Sequence, residues 1–260
     1  MKIGIIGYGY VGKAIAAAYE PTQVLINDPL VEDSSSLTEI KAECNVIFVC
    51  VPTPQHADGS CDASILTCVL EKLRGYTGLV ISKSTALPQI YLELESRYGE
   101  LKIAHVPEFL TASNAIADYQ YPVKIVIGCR QELRQDVFSA IITDKINFDM
   151  TTVQFCSIAE AAMFKYLANT MLAMKVIINN EYYDLCNSIG IDWNNVARIA
   201  ETDPRLGNTH WAVPGPDGSR GFAGACFPKD VSALLSLSKF LNVNMSMLSN
   251  AVGKNTKLRN

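Results

Sequence analysis

The chain has 260 residues, of which 49% are hydrophobic and 18% charged, and its formal net charge is −4. This composition excludes disordered and collagen-like proteins, and the length predicts one large domain or two small ones. Because Lys and Arg are scattered, we expect no nucleic-acid partner. No window of about 18 residues is apolar and uncharged. The first residues lead directly into a glycine-rich turn instead of a signal peptide, so we expect a cytoplasmic protein with no membrane partner.

The cysteines and histidines show no metal-binding or disulfide pattern. The eight cysteines contain no CxxC pair, and the three histidines lie far apart in the chain. This spacing argues against a disulfide scaffold, a zinc site and a Ser-His-Asp triad. We therefore expect no metal, and we expect most cysteines to be small core residues.

The first half of the chain alternates β-rich runs with helical patterns. Strands are predicted at Lys2–Ile6, Val24–Ile26, Asn45–Val51, Leu79–Ser82, Lys102–Val106 and Lys124–Gly128. Between them, amphipathic stretches predict helices at Lys13–Tyr19, Ala63–Arg74 and Gln89–Tyr98. This alternation is typical of an α/β fold with a Rossmann-type, doubly wound parallel sheet. It stops near residues 145–156, so we expect the first domain to cover 1–150 and a second to cover 151–260.

A long helix is predicted to open the second domain. Ser157 and Glu160 have the spacing of a capping box, and the next strong stop is Gly190, which gives a rod on the order of 48 Å. One face is apolar, through Phe164, Leu167, Met171, Met174, Ile178, Tyr182, Leu185 and Ile189. A helix this long cannot bury both ends in one small domain, so we expect a homodimer formed through the 157–189 helix. The alternative is a helix that lies across its own sheet.

The remaining residues predict a helical domain with one long loop. Helices are expected at Asp192–Glu201 and from about Pro228 to Leu241, and the loop between them is rich in Gly and Pro. The polar tail, Asn242–Asn260, is expected to be frayed or short-helical.

A glycine motif, Gly7-Tyr8-Gly9-Tyr10-Val11-Gly12, lies between the first predicted strand and helix. Gly7 permits a tight turn, Gly9 lets the backbone approach a pyrophosphate, and Gly12 allows close packing of helix on strand. Asp28 follows the second strand, where a carboxylate binds a ribose 2′-hydroxyl and repels a 2′-phosphate. This pattern favours NAD over NADP. The alternative is a turn with structural glycines.

Two further groups of residues suggest chemistry. Cys226, in the glycine-rich segment Gly221–Asp230, lies just before a predicted helix, whose N-terminus stabilises the reactive thiolate form. Lys165 and Asn169 lie one turn apart on the long helix and form a candidate clamp for an oxyanion or alkoxide. The alternatives are a buried cysteine with a capping aspartate, and a solvated helix face.

These motifs together resemble the nucleotide-sugar dehydrogenases, the UDP-glucose/GDP-mannose dehydrogenase family, and most closely its UDP-glucose branch. The likeness covers residues 1 to about 240. Further motifs that carry it are Val51-Pro52-Thr53-Pro54 with Asp58-Gly59, Ser84-Thr85 with Pro88, Pro107-Glu108-Phe109-Leu110, Asp118, Pro122 before Gly128, and Asp203-Pro204-Arg205-Leu206-Gly207.

The resemblance implies an NAD-dependent, two-step oxidation of a nucleotide sugar, UDP-glucose to UDP-glucuronate. Cys226 matches the nucleophile that forms a thiohemiacetal and then a thioester. In the other implied catalytic roles, Lys165 and Asn169 stabilise oxygen charge, Asp230 assists proton transfer, and Glu108 and Thr85 activate and orient water.

The resemblance also implies binding residues. For NAD they are Gly7, Gly9, Tyr10, Val11, Gly12, Asp28, Thr53 and Thr85. For the sugar nucleotide they are Phe109, Leu110, Lys165, Asn169, Arg205 and Gly224, with Arg205 reaching the substrate of the neighbouring subunit.

The chain departs from the family pattern at several positions. Ala223, Val106 and Ala112-Ser113 stand where the family usually has glycine, asparagine and Glu-Gly. Family members also carry a later domain that binds the nucleotide, and we expect this chain to lack it. Two alternatives stay open. One is a non-catalytic or incomplete NAD-binding dimer subunit that needs a partner chain, and the other is a β-hydroxyacid-type dehydrogenase, which has no use for Cys226.

Overall fold

The computed structural model describes residues 1–149 and 151–260, which form two compact units. The first contains Met1–Pro54 and Asp62–Lys165, and the second contains Gln55–Cys61 and Tyr166–Asn260. The predicted domain boundary falls at Met150, which lies outside the described residues. The first unit continues beyond this point because the strand Thr152–Cys156 belongs to its sheet.

Within the described residues, the sheet of the first unit has seven strands: β1 (Ile3–Ile6), β2 (Val24–Asn27), β3 (Val46–Val49), β4 (Leu79–Ser82), β5 (Lys102–His105), β6 (Lys124–Cys129) and β7 (Thr152–Cys156). They lie in the order β2-β1-β3-β4-β5-β6-β7. The six predicted strands are confirmed, and β7 was not predicted. The expectation of a parallel sheet is wrong at one place, because β6 pairs antiparallel with β5. The strand order reverses beside β1, which is where ligands bind in open α/β sheets.

Six helices connect the described strands of the first unit: α1 (Tyr10–Ala17), α2 (Leu37–Glu43), α3 (Ser64–Lys72), α4 (Pro88–Arg97), α5 (Ala115–Gln120) and α6 (Arg134–Ile141). Every residue of β1, β3 and β4 is buried. Strands buried on both faces read as continuous apolar runs, as these do. The Rossmann-type architecture predicted from the alternation is therefore confirmed.

Helix α7 (Ile158–Ser188) has the predicted length and ends. The Ser157 N–H donates to Glu160 Oε2 (2.7 Å), and the Glu160 N–H donates to Ser157 Oγ (3.3 Å), which completes the capping box. At the other end, Gly190 has φ of +76°, the left-handed conformation that stops a helix. The division between the two units falls within α7, after Lys165.

The rest of the second unit is helical, with α8 (Trp193–Ala200), α9 (Phe227–Phe240) and α10 (Ser246–Arg259). The first two were predicted. The polar tail is not frayed, because α10 is a regular helix of 14 residues. A small core forms around the buried residues Cys186, Trp193, Ala197, Trp211 and Val213. An early segment, Gln55–Cys61, also belongs to this unit, and Gln55 Nε2 donates to Ser232 Oγ on α9 (3.0 Å).

Much of the apolar face of α7 is exposed in the single chain. Leu167, Met171, Ile178, Tyr182, Leu185 and Ile189 are each 48–62% exposed. Phe164 and Met174 are half-buried. By length and composition alone, α7 is apolar enough to cross a membrane, and 44% of its most apolar window is buried. Long core helices pass the same test, and the buried face of α7 carries polar groups such as Asn179 and Asn180.

The cysteines are less buried than predicted. None of the eight forms a disulfide in the part of the chain that the structure describes, but only Cys44, Cys129 and Cys186 are buried, and Cys68 is exposed. Cys68 lies on a face of α3 that does not contact the core. Burial raises the pKa of Cys44 and of Cys129 to about 11.

Candidate active site

The glycine motif forms a tight turn between β1 and α1. Gly7 has φ of +92°, and a Cβ there would lie 2.6 Å from the Cys50 carbonyl oxygen, so only glycine fits. A Cβ on Gly12 would lie 2.3 Å from the Gly7 carbonyl oxygen, which shows how closely α1 approaches the turn. A Cβ on Gly9 would meet nothing within 4 Å. The turn therefore leaves open space at the N-terminus of α1, and its geometry fits a bound pyrophosphate.

Asp28 lies beside this turn, directly after β2. Its Oδ2 accepts a hydrogen bond from the Tyr8 N–H (2.6 Å), and its Oδ1 accepts one from the Leu30 N–H (2.8 Å). These bonds fix the carboxylate at the edge of the sheet where a dinucleotide ribose is recognised. Tyr10, the first residue of α1, is 38% exposed, and Val11 packs partly against the core.

The loops after β3 and β4 are joined by two predicted residues. The Thr53 hydroxyl donates to the Thr85 carbonyl oxygen (2.5 Å), and the Ser84 hydroxyl donates to the Val51 carbonyl oxygen (2.8 Å). Thr53 is buried and Thr85 is half-buried. The structure thus brings together two residues that the sequence associated with NAD.

Lys165 and Glu108 form a buried ion pair in the first unit. Lys165 Nζ donates to the Glu108 carbonyl oxygen (2.6 Å) and to its Oε1 (3.0 Å). The other carboxylate oxygen accepts from the Leu110 N–H (2.7 Å). The Phe109 ring centroid lies 5.3 Å from Lys165 Nζ. Both charged side chains are 6% exposed, so each is compensated by the other and cannot be changed alone without leaving a buried charge.

A second buried pair connects α7 with α9. Asn169 Nδ2 donates to Asp230 Oδ2 (2.6 Å), and Lys229 Nζ donates to Asp230 Oδ1 (2.6 Å). Asp230 is only 1% exposed. Its backbone N–H donates to the Cys226 carbonyl oxygen (2.9 Å), so the carboxylate follows the cysteine by one helical turn. The predicted residues Asn169, Asp230 and Cys226 therefore belong to one connected cluster in the second unit.

Cys226 occupies the N-cap of α9, as predicted, and is half-buried. Pro228 is the second residue of the helix instead of the first. Two residues before the thiol, Gly224 has φ of +83° and open space where a Cβ would lie. The backbone at Gly224 therefore leaves open space close to the thiol. A helix N-terminus carries partial positive charge, which suits a nucleophile that must carry negative charge.

Arg205 lies in the loop after α8. Its side chain is 86% exposed and is paired with Asp203 Oδ2 (2.5 Å). The sequence did not reveal what supports this loop. Lys175 on α7 donates to the carbonyl oxygens of Leu206 (3.0 Å), Gly207 (3.3 Å) and Thr209 (2.5 Å). Because the acceptors are backbone atoms, no pattern of residue types indicated this contact.

Ionisable groups that the sequence did not single out lie at the ends of β3, β4 and β5: Lys83 and His105 are buried, and Cys50 is half-buried. Burial lowers the pKa of Lys83 to about 8 and that of His105 to about 3, and it raises the pKa of Cys50 to about 12. In the part of the chain that the structure describes, no three His, Cys, Asp or Glu side chains form a group that could hold a metal ion.

Comparison with known proteins gives matches along most of the chain. The NAD-binding-domain model of the UDP-glucose/GDP-mannose dehydrogenase family matches residues 27–145, and the central-domain model of that family matches residues 159–257. UDP-glucose 6-dehydrogenase of Rickettsia bellii is 31% identical over 241 residues, which cover 90% of this chain and 54% of that protein. The chain spans about half to two thirds of the length of the curated relatives it matches, between 50% and 66% for three of them.

Solved structures share the fold. A UDP-glucose dehydrogenase from the archaeon Pyrobaculum islandicum has a TM-score of 0.81 at 24% identity, over 98% of this chain and 68% of that one. Mycobacterium tuberculosis 3-hydroxyisobutyrate dehydrogenase has a TM-score of 0.73 at 17% identity, over 98% of this chain and 92% of that one. At these identities the likeness concerns the fold alone.

Proposed function

Because the chain belongs to the UDP-glucose/GDP-mannose dehydrogenase family, we propose that it oxidises the primary alcohol of a nucleotide sugar, UDP-glucose, to the carboxylate. NAD is the cofactor, since the family's NAD-binding domain matches residues 27–145 and the glycine turn fits a dinucleotide. The observation that carries the proposal is Cys226 at the N-cap of α9, bonded through its backbone to the buried Asp230. A dehydrogenase that stops at the aldehyde or ketone needs no such thiol.

Cys226 retains the intermediate between the two oxidations. NAD, when bound, supplies the acceptor for one hydride in each oxidation. In the first oxidation the primary alcohol loses a hydride from carbon and the proton from its hydroxyl, which leaves an aldehyde. The Cys226 thiolate adds to the aldehyde carbon, a C–S bond forms, and the former carbonyl oxygen takes a proton. Loss of the second hydride and of that proton leaves a thioester. Water then adds to the thioester carbon, the C–S bond breaks, and the thiol and the carboxylate are released.

The two buried pairs supply the donors and acceptors for these steps. Asn169 and Lys165 stabilise charge on the sugar oxygen by donating hydrogen bonds to it. Without substrate, Asn169 donates to Asp230 and Lys165 donates to Glu108. When substrate binds, its oxygen accepts some of these hydrogen bonds in place of the two carboxylates. Asp230 then receives or returns the proton at that oxygen, while Glu108 and Thr85 orient the attacking water.

The proposed enzyme is a homodimer that is formed through α7. The exposed apolar face of that helix supports this assembly, and the exposed Arg205 is available to contact substrate in the neighbouring subunit. The family resemblance also assigns sugar binding to Phe109 and Leu110 of the first unit and to Gly224 of the second.

Two other functions stay open as alternatives. A β-hydroxyacid-type enzyme shares this fold, as the match to a 3-hydroxyisobutyrate dehydrogenase illustrates. The other alternative is an NAD-binding subunit that needs a partner chain, which would use the same NAD-binding domain. Cys226 separates these candidates, since only the nucleotide-sugar reaction uses it.

The test compares Cys226→Ser with Cys68→Ser, a control that changes an exposed cysteine on α3. With UDP-glucose and NAD, we expect two NADH per sugar from the wild type and from the control. We expect acid formation to fall at least about a thousandfold in Cys226→Ser, because serine is a poor nucleophile without an activating base. The measurements are NADH absorbance and uronate yield, and NAD affinity should not change.

Three results would argue against the proposal. Acid formation at the wild-type rate by Cys226→Ser contradicts the covalent route. Oxidation of a β-hydroxyacid that Cys226→Ser leaves intact favours the second candidate. NAD binding without turnover of UDP-glucose, until a second polypeptide is added, favours the subunit.

A further inference from the structure

We propose that Asn255 is a positioning residue for Cys226, which it serves by holding the glycine loop before the thiol against α10; this inference rests on the proposed role of Cys226. The loop comprises residues 217–225. It contains Gly221 and Gly224 and leads directly into the N-cap of α9.

The contact between Asn255 and the loop is a matched pair of hydrogen bonds. The Phe222 N–H donates to Asn255 Oδ1 (2.7 Å), and Asn255 Nδ2 donates to the Phe222 carbonyl oxygen (3.0 Å). One side-chain amide thus pairs both backbone polar groups of a residue four positions before Cys226. An amide that both donates and accepts fixes the orientation of the backbone as a neighbouring strand would.

The residue beside this contact has to be glycine. Gly221 has φ of +74°, and a Cβ there would lie 2.3 Å from Asn255 Oδ1. Gly221 thus makes room for the amide of Asn255.

Other contacts hold the same loop from two sides. On α10, Arg259 donates to the Arg220 carbonyl oxygen (3.1 Å) and to Asp217 Oδ2 (2.6 Å). On α7, Asn180 Oδ1 accepts from Arg220 Nε (3.0 Å). Within the second unit, the loop is therefore attached to both helices by hydrogen bonds.

The path from Asn255 to the thiol is short. The Phe222 ring lies 6.5 Å from the Phe227 ring, edge to face, and Phe227 directly follows Cys226. A shift of the Phe222 backbone therefore disturbs the packing of Phe227 in the first turn of α9, directly after the thiol.

The surroundings cannot replace the lost bonds by packing. A cavity of about 540 Å³ lies between α9 and α10, and its wall includes Phe222, Pro228, Leu235, Val252 and Asn255. A tightly packed loop would stay in place after one hydrogen bond is lost, but a loop beside a cavity has room to move. At Phe222, where the loop borders the cavity, the position of the backbone thus depends on the two bonds from Asn255, whereas Arg259 and Asn180 hold the earlier residues Asp217 and Arg220.

The test uses Asn255→Asp and Asn255→Ala, with Asn250→Ala as the matched control. Asn255→Asp has nearly the same shape and keeps the acceptor for the Phe222 N–H, but it replaces the donor with an oxygen that repels the Phe222 carbonyl. Asn250 is exposed on the same helix, so its truncation removes a similar side chain without touching the loop.

The first measurement is the rate at which iodoacetamide alkylates Cys226, followed by mass spectrometry of the peptide that contains it. We divide this rate by the rate for the exposed Cys68 and call the result the alkylation ratio. We expect this ratio to fall at least about tenfold in both Asn255 variants, because the thiol leaves the helix N-terminus that stabilises its reactive form. It should not change in Asn250→Ala. Since no sugar or NAD is needed, this result is independent of the proposed oxidation.

The second measurement separates positioning from general stability. We expect kcat for sugar oxidation to fall by the same factor while KM for NAD stays at the wild-type value. An unchanged or increased alkylation ratio in both Asn255 variants overturns the proposal, as does an equal fall in Asn250→Ala. If circular dichroism shows that the Asn255 variants are unfolded, Arg259→Gln is the deciding variant. We then expect its alkylation ratio to fall about threefold, and an unchanged ratio contradicts the proposal.

Discussion

His105 is a buried histidine that makes the stability of the first unit sensitive to acid. It is fully buried on β5, its ring stacks on Tyr91 with centroids 4.2 Å apart, and its Nδ1 lies 3.0 Å from the Ser82 carbonyl oxygen. Its Nε2 has no hydrogen-bond partner among the described residues. Burial lowers its pKa from the usual 6.5 to about 3. The folded protein therefore excludes the charged form that the unfolded chain adopts below pH 6.5.

The sign of the resulting pH dependence follows from proton uptake. Between pH 6.5 and pH 3 the unfolded chain binds a proton at His105 that the folded chain does not, so the free energy of unfolding falls as the pH is lowered through this window. His105→Phe keeps an aromatic ring but cannot titrate. We measure the free energy of unfolding in urea at pH 7, 6, 5 and 4. The slope of this free energy against pH should be smaller in His105→Phe than in the wild type, by up to about 1.4 kcal/mol per pH unit.

The control for this experiment is Ile103→Val, which changes a buried residue of the same strand that does not titrate. Its slope should match the wild type. Equal slopes for wild type and His105→Phe would contradict the assignment, whatever the stability of the variant at pH 7.

The sequence predicted some residues of the candidate site and missed others. Cys226, Asp230, Lys165 and Glu108 were predicted as site residues because their side chains carry chemistry or match a motif. Asn255 and Lys175 were missed because their partners are backbone groups of an irregular loop. The sequence pattern contains no information about which carbonyl oxygens a loop will present, and only the folded chain shows it.

At the scale of elements, the periodic segments were predictable and the direction and pairing of strands were not. β3 and β4 are continuous apolar runs, and α7 has a clear cap and stop. β6 reads as a buried strand in either direction, so its antiparallel pairing with β5 left no local signal. β7 is mostly exposed and α10 lacks a strong apolar stripe, so the hydrophobic pattern of the sequence did not predict either element.

The capping box of α7 gives a prediction about one element. Ser157→Ala removes the hydroxyl that accepts from the Glu160 N–H. We expect the free energy of unfolding to fall by about 1 kcal/mol in a denaturant titration, because a backbone donor at the helix start loses its partner. Ser249→Ala, an exposed position within α10, should be neutral or slightly stabilising. Equal effects at the two positions would mean that the cap contributes nothing.

At the scale of the whole molecule, the proposed dimer explains an otherwise exposed apolar surface. Met171 and Tyr182 lie on the open face of α7 and are 58% and 56% exposed. Burial of that face against a second copy would remove it from water. The sequence indicated this stripe by its spacing, but spacing alone did not show which of its residues the chain itself would bury.

The combined variant Met171→Glu and Tyr182→Glu should weaken self-association at least about tenfold, because charge is placed in an apolar interface. Sedimentation velocity over a range of concentrations measures the change. Phe240→Glu is the control, since Phe240 is 81% exposed but lies on α9. A wild type that sediments as a monomer at all concentrations, or equal weakening by the control, would rule out this interface.

The short segment Gln55–Cys61 has a consequence for how the protein is made. It belongs to the second unit, yet it is synthesised before most of the first, and its bond from Gln55 to Ser232 closes a stretch of 177 residues. Contacts between such distant residues form late, so the second unit completes its folding only after α9 has left the ribosome. No single cleavage of the chain separates the units intact. A fragment that starts at Tyr166 lacks Gln55–Cys61, which belongs to its own unit. A fragment that ends at Lys165 contains Gln55–Cys61 without the rest of the second unit.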